Sequence, residues 1–231
     1  MSRQLRSVFL LSIALITATY IINKQPYSPI PPKKTRFVKI AADGKILKPW
    51  QGPWSCVLDT KTNLIWEVKN DKENIHDFQC SFSWYDGNIG IKNAGSCYEI
   101  SGIDTNDLVQ YTNHEHFCGR EGWRVPHEVE LRTLVEPSSR PGEPMLATDF
   151  FPYAKHSFYW TSEAELGLQK FFQKYGKGAL GIDFSNGRTL ALPYQNNAFV
   201  RLVSTTQITK YKNTKQEEVP YDRLKERQKR H

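Results

Sequence analysis

The sequence predicts an α+β domain, with two short helices in the first half of the chain and antiparallel strands in the second. Two segments with helix-start signals lie before residue 137, and four β-rich runs follow residue 157. An Asn186-Gly187 pair separates two of those runs. Asn-Gly is typical of a hairpin with a type I′ turn, which needs positive φ at both central residues.

The first helix is predicted to begin at the polar segment 104–107 and to end at Gly119. A small polar residue at the N-cap with an acid three positions later is a frequent helix start, and glycine often follows a helix end. Its apolar face is marked by Leu108, Val109 and Thr112.

The second helix is predicted between Pro126 and Pro137. Proline fits the first helical position because its missing N–H has no partner there, and a later proline ends the helix. The apolar stripe of this helix consists of Val129, Leu131, Leu134 and Val135.

The predicted strands are short runs rich in β-branched and aromatic residues. They lie at 54–58, 64–68, 158–162, 179–184, 188–192 and 199–203. The first two flank a loop with hairpin chemistry, in which Asn63 tolerates positive φ.

The net charge of +7 is confined to the two ends of the chain. Residues 1–36 carry six Lys or Arg and no acid, and residues 206–231 carry eight against four acids. The segment between them is therefore acidic, with a charge of about −3. Nucleic acid is not an expected partner, because Lys and Arg contacts to phosphates supply most of that affinity.

The N-terminal segment 1–24 is predicted to be a signal anchor or a signal peptide. Two arginines precede an uncharged apolar run at 7–22, and no site with small residues at the cleavage positions closes the run. An anchor is therefore favoured over a cleaved leader. Segment 25–36 is a Pro-rich linker of polyproline type, 37–205 is the folded domain, and 206–231 is a charged tail.

The four cysteines are even in number and contain no C-x-x-C pair. Zinc sites usually need closely spaced ligand pairs, so disulfides are expected in an oxidising compartment. The bacterial envelope is such a compartment, either at the inner membrane facing the periplasm or, after cleavage, as a secreted or cell-surface protein. The cysteines are Cys56, Cys80, Cys97 and Cys118.

Seven ordered segments resemble the bacterial family named after the C-terminal domain of the Legionella collagen-like adhesin. They include W-S-C-V-L-D-T-K-T-N-L-I-W-E-V-K at 54–69, C-G-R-E-G-W-R-V-P-H-E-V-E-L at 118–131, D-F-S-N-G at 183–187 and V-R-L-V at 200–203. The shorter ones are S-W-Y at 83–85, F-F-P at 150–152 and Y-W-T-S at 159–162. Residues 164–177 look like an insertion relative to this family.

The W-R-V-P and V-R-L-V units also resemble, more distantly, the formylglycine-generating family. That resemblance implies a C-type-lectin-like α+β fold, in which two short helices flank twisted antiparallel sheets. Those enzymes use a late redox-active cysteine pair, and no cysteine follows Cys118 here. The resemblance to the adhesin family also implies the pairings Cys56–Cys80 and Cys97–Cys118. We expect a non-enzymatic adhesion or binding domain for a glycan, an envelope polymer or a protein; an enzyme on the formylglycine-generating-like fold is the alternative.

The sequence contains several residues of the types that form structural or functional sites. Trp123, Arg124, Pro126 and Glu130 are expected to be structural, with an Arg124–Glu130 ion pair. His114 and His116 diverge on a helix, and Ser162 lacks a nucleophile motif, so no catalytic residue, metal ligand or cofactor is expected. The best ligand-binding segment consists of Tyr194, Gln195, Asn196 and Asn197, which offers an aromatic face and three amides for a neutral polar ligand.

Overall fold

The structure, a computed structural model, describes residues 35–98, 100–137 and 141–205. The predicted targeting segment, nearly all of the Pro-rich linker and the charged tail lie outside these residues. No helix in the described part of the chain is both long and apolar enough to cross a membrane.

The described residues form an α+β domain with short helices and three antiparallel sheets. The first sheet has the order β1 (Phe37–Ile40), β2 (Cys56–Asp59), β3 (Leu64–Glu67) and β10 (Val203–Thr205). The second pairs β4 (Gly95–Cys97) with β5 (Ile100–Ile103). In the third, β8 (Lys177–Asp183) pairs with β6 (Phe158–Trp160), β7 (Leu166–Gly167) and β9 (Arg188–Pro193).

The first sheet is buried on both faces, which places it at the centre of the domain. Val57 and Trp66 are opposite one another on β2 and β3, and both belong to one apolar cluster with Phe151. Cys56 and Ile65 point to the other face and belong to a second cluster. The alternation of side chains along a strand explains how four-residue strands supply both clusters.

The predicted hairpin between β2 and β3 is confirmed, with Asn63 at φ 56. The predicted hairpin between β8 and β9 is also present, but the predicted type I′ turn is wrong. Asp183 and Arg188 are the last paired residues, so four residues form the loop. Gly187 has φ 72, whereas Asn186 does not have positive φ, as a type I′ turn would require.

Helix α1 (Thr105–His114) begins where the sequence predicts. The Asp104 side chain accepts from the Asp107 N–H at 3.0 Å, and the Asp107 carboxylate accepts from the Asp104 N–H at 3.3 Å. The helix ends earlier than predicted, because Gly119 instead closes a separate 3₁₀ turn (Phe117–Gly119).

Helix α2 (Glu128–Leu131) is much shorter than predicted and continues as a 3₁₀ turn (Arg132–Leu134). The expectation that Pro126 opens it is wrong, because His127 occupies the N-cap. Val129 is 73% exposed and is not part of the apolar stripe, whereas Leu131 and Leu134 are buried.

The strand predicted at 199–203 is only partly present. Regular pairing begins at Val203, where β10 joins β3. Phe199 makes an isolated bridge to Tyr159, so the chain crosses from the third sheet to the first over this run. Strand β1 and the second sheet were not predicted.

The predicted disulfide pairing is wrong: the bonds are Cys56–Cys118 and Cys80–Cys97. Ser81 pairs with Ser96 in an antiparallel bridge, which brings Cys80 opposite Cys97. Cys56 is opposite Ile40 on β1, and the turn after β1 lies against the 3₁₀ turn that contains Cys118. A β-carbon on Gly44 would lie 2.7 Å from the Cys118 carbonyl oxygen, so only glycine allows this approach.

Candidate functional site

A cleft of about 290 Å³ lies between the start of α1, the segment before α2 and the end of β6. Its volume is at the lower end of the range for small-molecule sites, which is about 300–1,000 Å³. Its lining combines aromatic, aliphatic and polar side chains. These are Trp84, Tyr85, Asp86, Thr105, Asn106, Val109, Arg124, Val125, His127 and Ser162.

The aromatic side of the cleft is fixed by hydrogen bonds to the core. The Trp84 indole N–H donates to the Thr161 carbonyl at 2.8 Å. The Tyr85 N–H donates to Thr105 Oγ1 at 2.9 Å, and that hydroxyl donates to the Tyr85 carbonyl at 2.6 Å. Since Thr105 is the first residue of α1, this pair of hydrogen bonds fixes the helix against the Tyr85 backbone.

Arg124 and Glu130 form the expected ion pair, in bidentate geometry. Both Arg124 Nη1–Glu130 Oε2 and Arg124 Nη2–Glu130 Oε1 measure 2.7 Å. Burial raises the pKa of the Glu130 carboxyl, but the bonds from Arg124 and the His127 N–H outweigh it, so the pKa is lowered. The positive charge beside the cleft is therefore already compensated.

Trp123 and Pro126, which the sequence predicts to be structural, lie on either side of Arg124 in the chain. Trp123 is buried and its indole N–H donates to the Phe117 carbonyl at 3.0 Å. Pro126 is also buried, and its carbonyl accepts from the Ser162 N–H at 2.9 Å. These bonds position both sides of the segment that carries Arg124.

His127, Ser162 and Glu163 meet at the edge of the cleft. Ser162 Oγ lies 2.8 Å from His127 Nδ1, and Glu163 Oε1 lies 3.4 Å from the same nitrogen. A serine nucleophile triad needs the serine and the carboxylate on opposite ring nitrogens. Glu163 also accepts from the Glu128 N–H at 3.1 and 3.0 Å, so its carboxylate caps α2.

The segment Tyr194–Asn197 lies beside the cleft but does not line it. The Tyr194 ring is half-buried, with its centroid 5.3 Å from that of Trp84, and its hydroxyl donates to Glu165 Oε1 at 3.0 Å. Gln195 and Asn197 are exposed, whereas Asn196 is half-buried. The aromatic face that was expected to contact a ligand is thus partly used in packing.

A family model described as Lcl C-terminal domain matches residues 55–204. The chain belongs to the Lcl C-terminal domain family. The matched region contains all four cysteines and the whole lining of the cleft. No curated protein and no solved structure matches the chain. Family membership indicates an adhesin-like domain of the bacterial envelope or cell surface.

This Lcl C-terminal domain also contains a buried charged cluster that sequence reasoning missed. Glu67 Oε1 lies 2.6 Å from Lys69 Nζ and 2.8 Å from His76 Nδ1, and Glu67 Oε2 accepts from the Leu202 N–H at 3.0 Å. Arg201 Nη1 donates to the Glu67 carbonyl at 2.6 Å. We call Glu67, Lys69, His76 and Arg201 the Glu67 cluster.

The protonation states in the Glu67 cluster follow from its geometry. Burial raises the pKa of Glu67, but Lys69 and His76 outweigh it and lower that pKa to about 2. Burial lowers the pKa of His76, but Glu115, 2.6 Å from Nε2, and Glu67 outweigh it and raise that pKa. His76 also stacks on Phe117, with ring centroids 4.2 Å apart. The imidazolium therefore donates to a carboxylate at each end.

One sequence signal could have indicated this cluster. Glu67 and Lys69 are two residues apart at the end of a strand, and alternate residues of an extended chain share a face. Their neighbours Trp66 and Val68 are buried on the opposite face. Two charged residues on a covered face require partners. His76 lies nine residues from Glu67, whereas Arg201 is brought to it by long-range packing.

His114 and His116 do not converge on a site. His114 is exposed, and His116 Nδ1 lies 2.9 Å from Glu121 Oε1. Among the described residues, no group of three or more His, Cys, Asp or Glu side chains is arranged to hold a metal ion.

Proposed function

We propose that this Lcl C-terminal domain is a non-enzymatic binding domain of the bacterial envelope or cell surface, with the cleft as its site for a neutral polar ligand such as a glycan. The observation that carries the proposal is the lining of the cleft. It combines aromatic and aliphatic groups with hydroxyl, amide and carboxylate groups in a space about the size of a small ligand. Sugars need both an apolar face and several hydrogen-bond partners.

Charge compensation supports an uncharged ligand. The Arg124 guanidinium is already bidentate to Glu130, so it has little capacity left for a phosphate or carboxylate group. Asp86 Oδ1 accepts from the Asn88 and Ile89 N–H groups at 2.8 and 2.7 Å, which holds this carboxylate at the cleft as an acceptor for hydroxyl groups. A glycan hydroxyl can donate to Asp86 without bringing a charge.

The non-enzymatic part of the proposal rests on the same cleft. Ser162 Oγ and Glu163 Oε1 both face His127 Nδ1, so Glu163 does not lie on the opposite ring nitrogen, where the carboxylate of a serine triad orients the histidine. The proposal also includes a C-type-lectin-like fold. It places the chain at the inner membrane facing the periplasm through residues 1–24, or outside the cell if that segment is cleaved. An envelope polymer or protein with sugar-like groups would fit the same cleft.

The test is a glycan-array screen of the full chain in mild detergent, followed by calorimetry on two matched variants. Asn106→Ala removes an amide from the cleft, and Asn197→Ala removes an exposed amide from the Tyr194 segment. Loss of one ligand hydrogen bond should weaken binding about tenfold for Asn106→Ala. Asn197→Ala should bind like the parent.

The reverse pattern would move the site to the Tyr194–Asn197 segment. If the parent chain unfolds cooperatively on heating, and so is folded, but binds no glycan and no isolated envelope polymer, the proposal is overturned.

A further inference from the structure

Residues 164–177, which we call the Phe171 loop, project an aromatic ring into solvent. Phe171 is 84% exposed and Tyr175 is 46% exposed. Single exposed apolar residues are common, and Phe171 is the most exposed of the large hydrophobic residues in the described part of the chain. Neither residue lines the cleft.

The Phe171 loop is a built structure that holds this ring outward. Strand β7 at its start pairs with β8, and the Leu168 N–H donates to the Gly176 carbonyl at 2.9 Å across its base. Leu168 is buried, and Phe172 packs against the core. Because Phe172 faces inward on a 3₁₀ turn (Lys170–Tyr175), its neighbour Phe171 faces outward.

Two basic residues, Lys170 and Lys174, lie on the same 3₁₀ turn as Phe171. Lys170 and Lys174 are exposed, and within the described part of the chain neither forms an ion pair. Lys174 instead lies over the Tyr175 ring, 5.0 Å from its centroid. The nearby Glu165 carboxylate is engaged by Lys177 and the Tyr194 hydroxyl. The tip of the loop therefore combines an apolar ring with two positive charges.

We propose that the Phe171 loop docks on an anionic phospholipid bilayer, with Phe171 inserted at the interface and Lys170 and Lys174 at the headgroups. Aromatic rings flanked by lysine are the usual composition of interfacial contacts. Each lysine near an anionic leaflet adds attraction, and the ring gains an apolar environment. A soluble polyanion would satisfy the lysines but would leave Phe171 exposed.

The predicted tether makes the bilayer accessible to the loop. Arg36, where the domain begins, forms an ion pair with Glu136. Val135, the residue before Glu136, lies against Gly187 in the loop between β8 and β9, so the domain begins near this end of the hairpin. The Phe171 loop is at the opposite end of β8, about 23 Å away along seven residues. The eleven residues 25–35 that precede Arg36 span about 34 Å when extended, which exceeds that distance.

The test places an environment-sensitive dye on a single introduced cysteine in the full chain, reconstituted into vesicles. All four native cysteines are in disulfides, so Phe171→Cys gives one labelling site. Val129→Cys, also at a highly exposed apolar residue, is the matched control. The vesicles contain phosphatidylcholine alone or with about one third phosphatidylglycerol, and nitroxide-labelled lipid reports contact.

In the phosphatidylglycerol vesicles, we expect the emission of the dye at position 171 to shift to the blue and to be quenched by the nitroxide-labelled lipid. The emission of the dye at position 129 should remain that of a solvent-exposed dye. Lys170→Gln with Lys174→Gln, with the dye still at 171, should lower the ratio of docked to free domain about 30-fold, from the contribution of two lysines. High salt should act in the same direction.

Equal dye exposure at positions 171 and 129 in both vesicles would overturn the proposal. A dye at position 171 that is buried equally with and without phosphatidylglycerol would also overturn it, because Lys170 and Lys174 would then not contribute to docking. A response at position 171 to soluble polyglutamate or heparin, without a response to vesicles, would assign the surface to a polyanion instead.

Discussion

The Glu67 cluster and the rim of the cleft both pair carboxylates with basic side chains, but they differ in burial. Glu67, Lys69 and His76 are each less than 5% exposed, whereas the Arg124 side chain is 39% exposed. A buried charge that loses its partner has no water to replace it, and an exposed charge does. Similar ion pairs therefore differ in what the loss of one partner costs: the cost is high in the interior and low at the rim of the cleft.

The largest expected effect comes from removing the centre of the buried cluster. Glu67→Ala should lower the free energy of unfolding by about 3–5 kcal/mol, because Lys69 and His76 would remain buried without their carboxylate. Chemical denaturation with detection by far-UV circular dichroism measures this value. Glu130→Ala is the matched control at the cleft, and an equal loss for both variants would break the comparison.

The pH dependence of stability distinguishes the two regions further. The pKa of His76 is raised in the folded state, so its stabilising contribution is complete below the unfolded pKa of about 6.5 and is lost as pH rises through the folded pKa. The free energy of unfolding should therefore fall above about pH 6.5, and less so in His76→Gln. Denaturation at several pH values measures both slopes.

The control for this prediction is His156→Gln, which replaces an exposed histidine outside the cluster. It should keep the slope of the parent chain. If His76→Gln also keeps the full slope, the imidazolium between Glu67 and Glu115 is not its source.

The smallest expected effect is at the rim of the cleft. Arg124→Ala should lower the free energy of unfolding by about 1 kcal/mol or less, since partly exposed ion pairs contribute little. A double-mutant cycle with Glu130→Ala measures the coupling between the two side chains directly. A coupling of about 3 kcal/mol or more would place this pair in the same class as the buried cluster.

Local features of the domain were predictable from the sequence. The hairpin between β2 and β3 depends on Asn63, and the start of α1 depends on Asp104 and Asp107, so a few adjacent residues determine each. The preference of arginine for paired burial also predicted the contact between Arg124 and Glu130. Each of these elements is determined by residues that lie within about ten positions of one another in the chain.

Features that depend on distant partners were not predictable. The disulfides follow from strand pairing, which brings Cys80 opposite Cys97 and leaves Cys56 to meet Cys118. The Glu67 cluster needs Arg201, which is 134 residues away. Helix α2 was predicted too long because an apolar stripe in the sequence does not show which of its residues pack in the core. Val129 does not pack there.

The nested arrangement of the two disulfides affects how the chain can be oxidised. When a chain enters an oxidising compartment from its N-terminus, Cys56 and Cys80 arrive first, and they are not partners in the folded domain. Cys56 has to remain reduced until 62 further residues have arrived, or its first bond has to be exchanged by thiolate attack. Oxidation of this domain therefore needs either a delayed reaction of Cys56 or the exchange of its first bond, and joining the cysteines in order of arrival would give the non-native pair Cys56–Cys80.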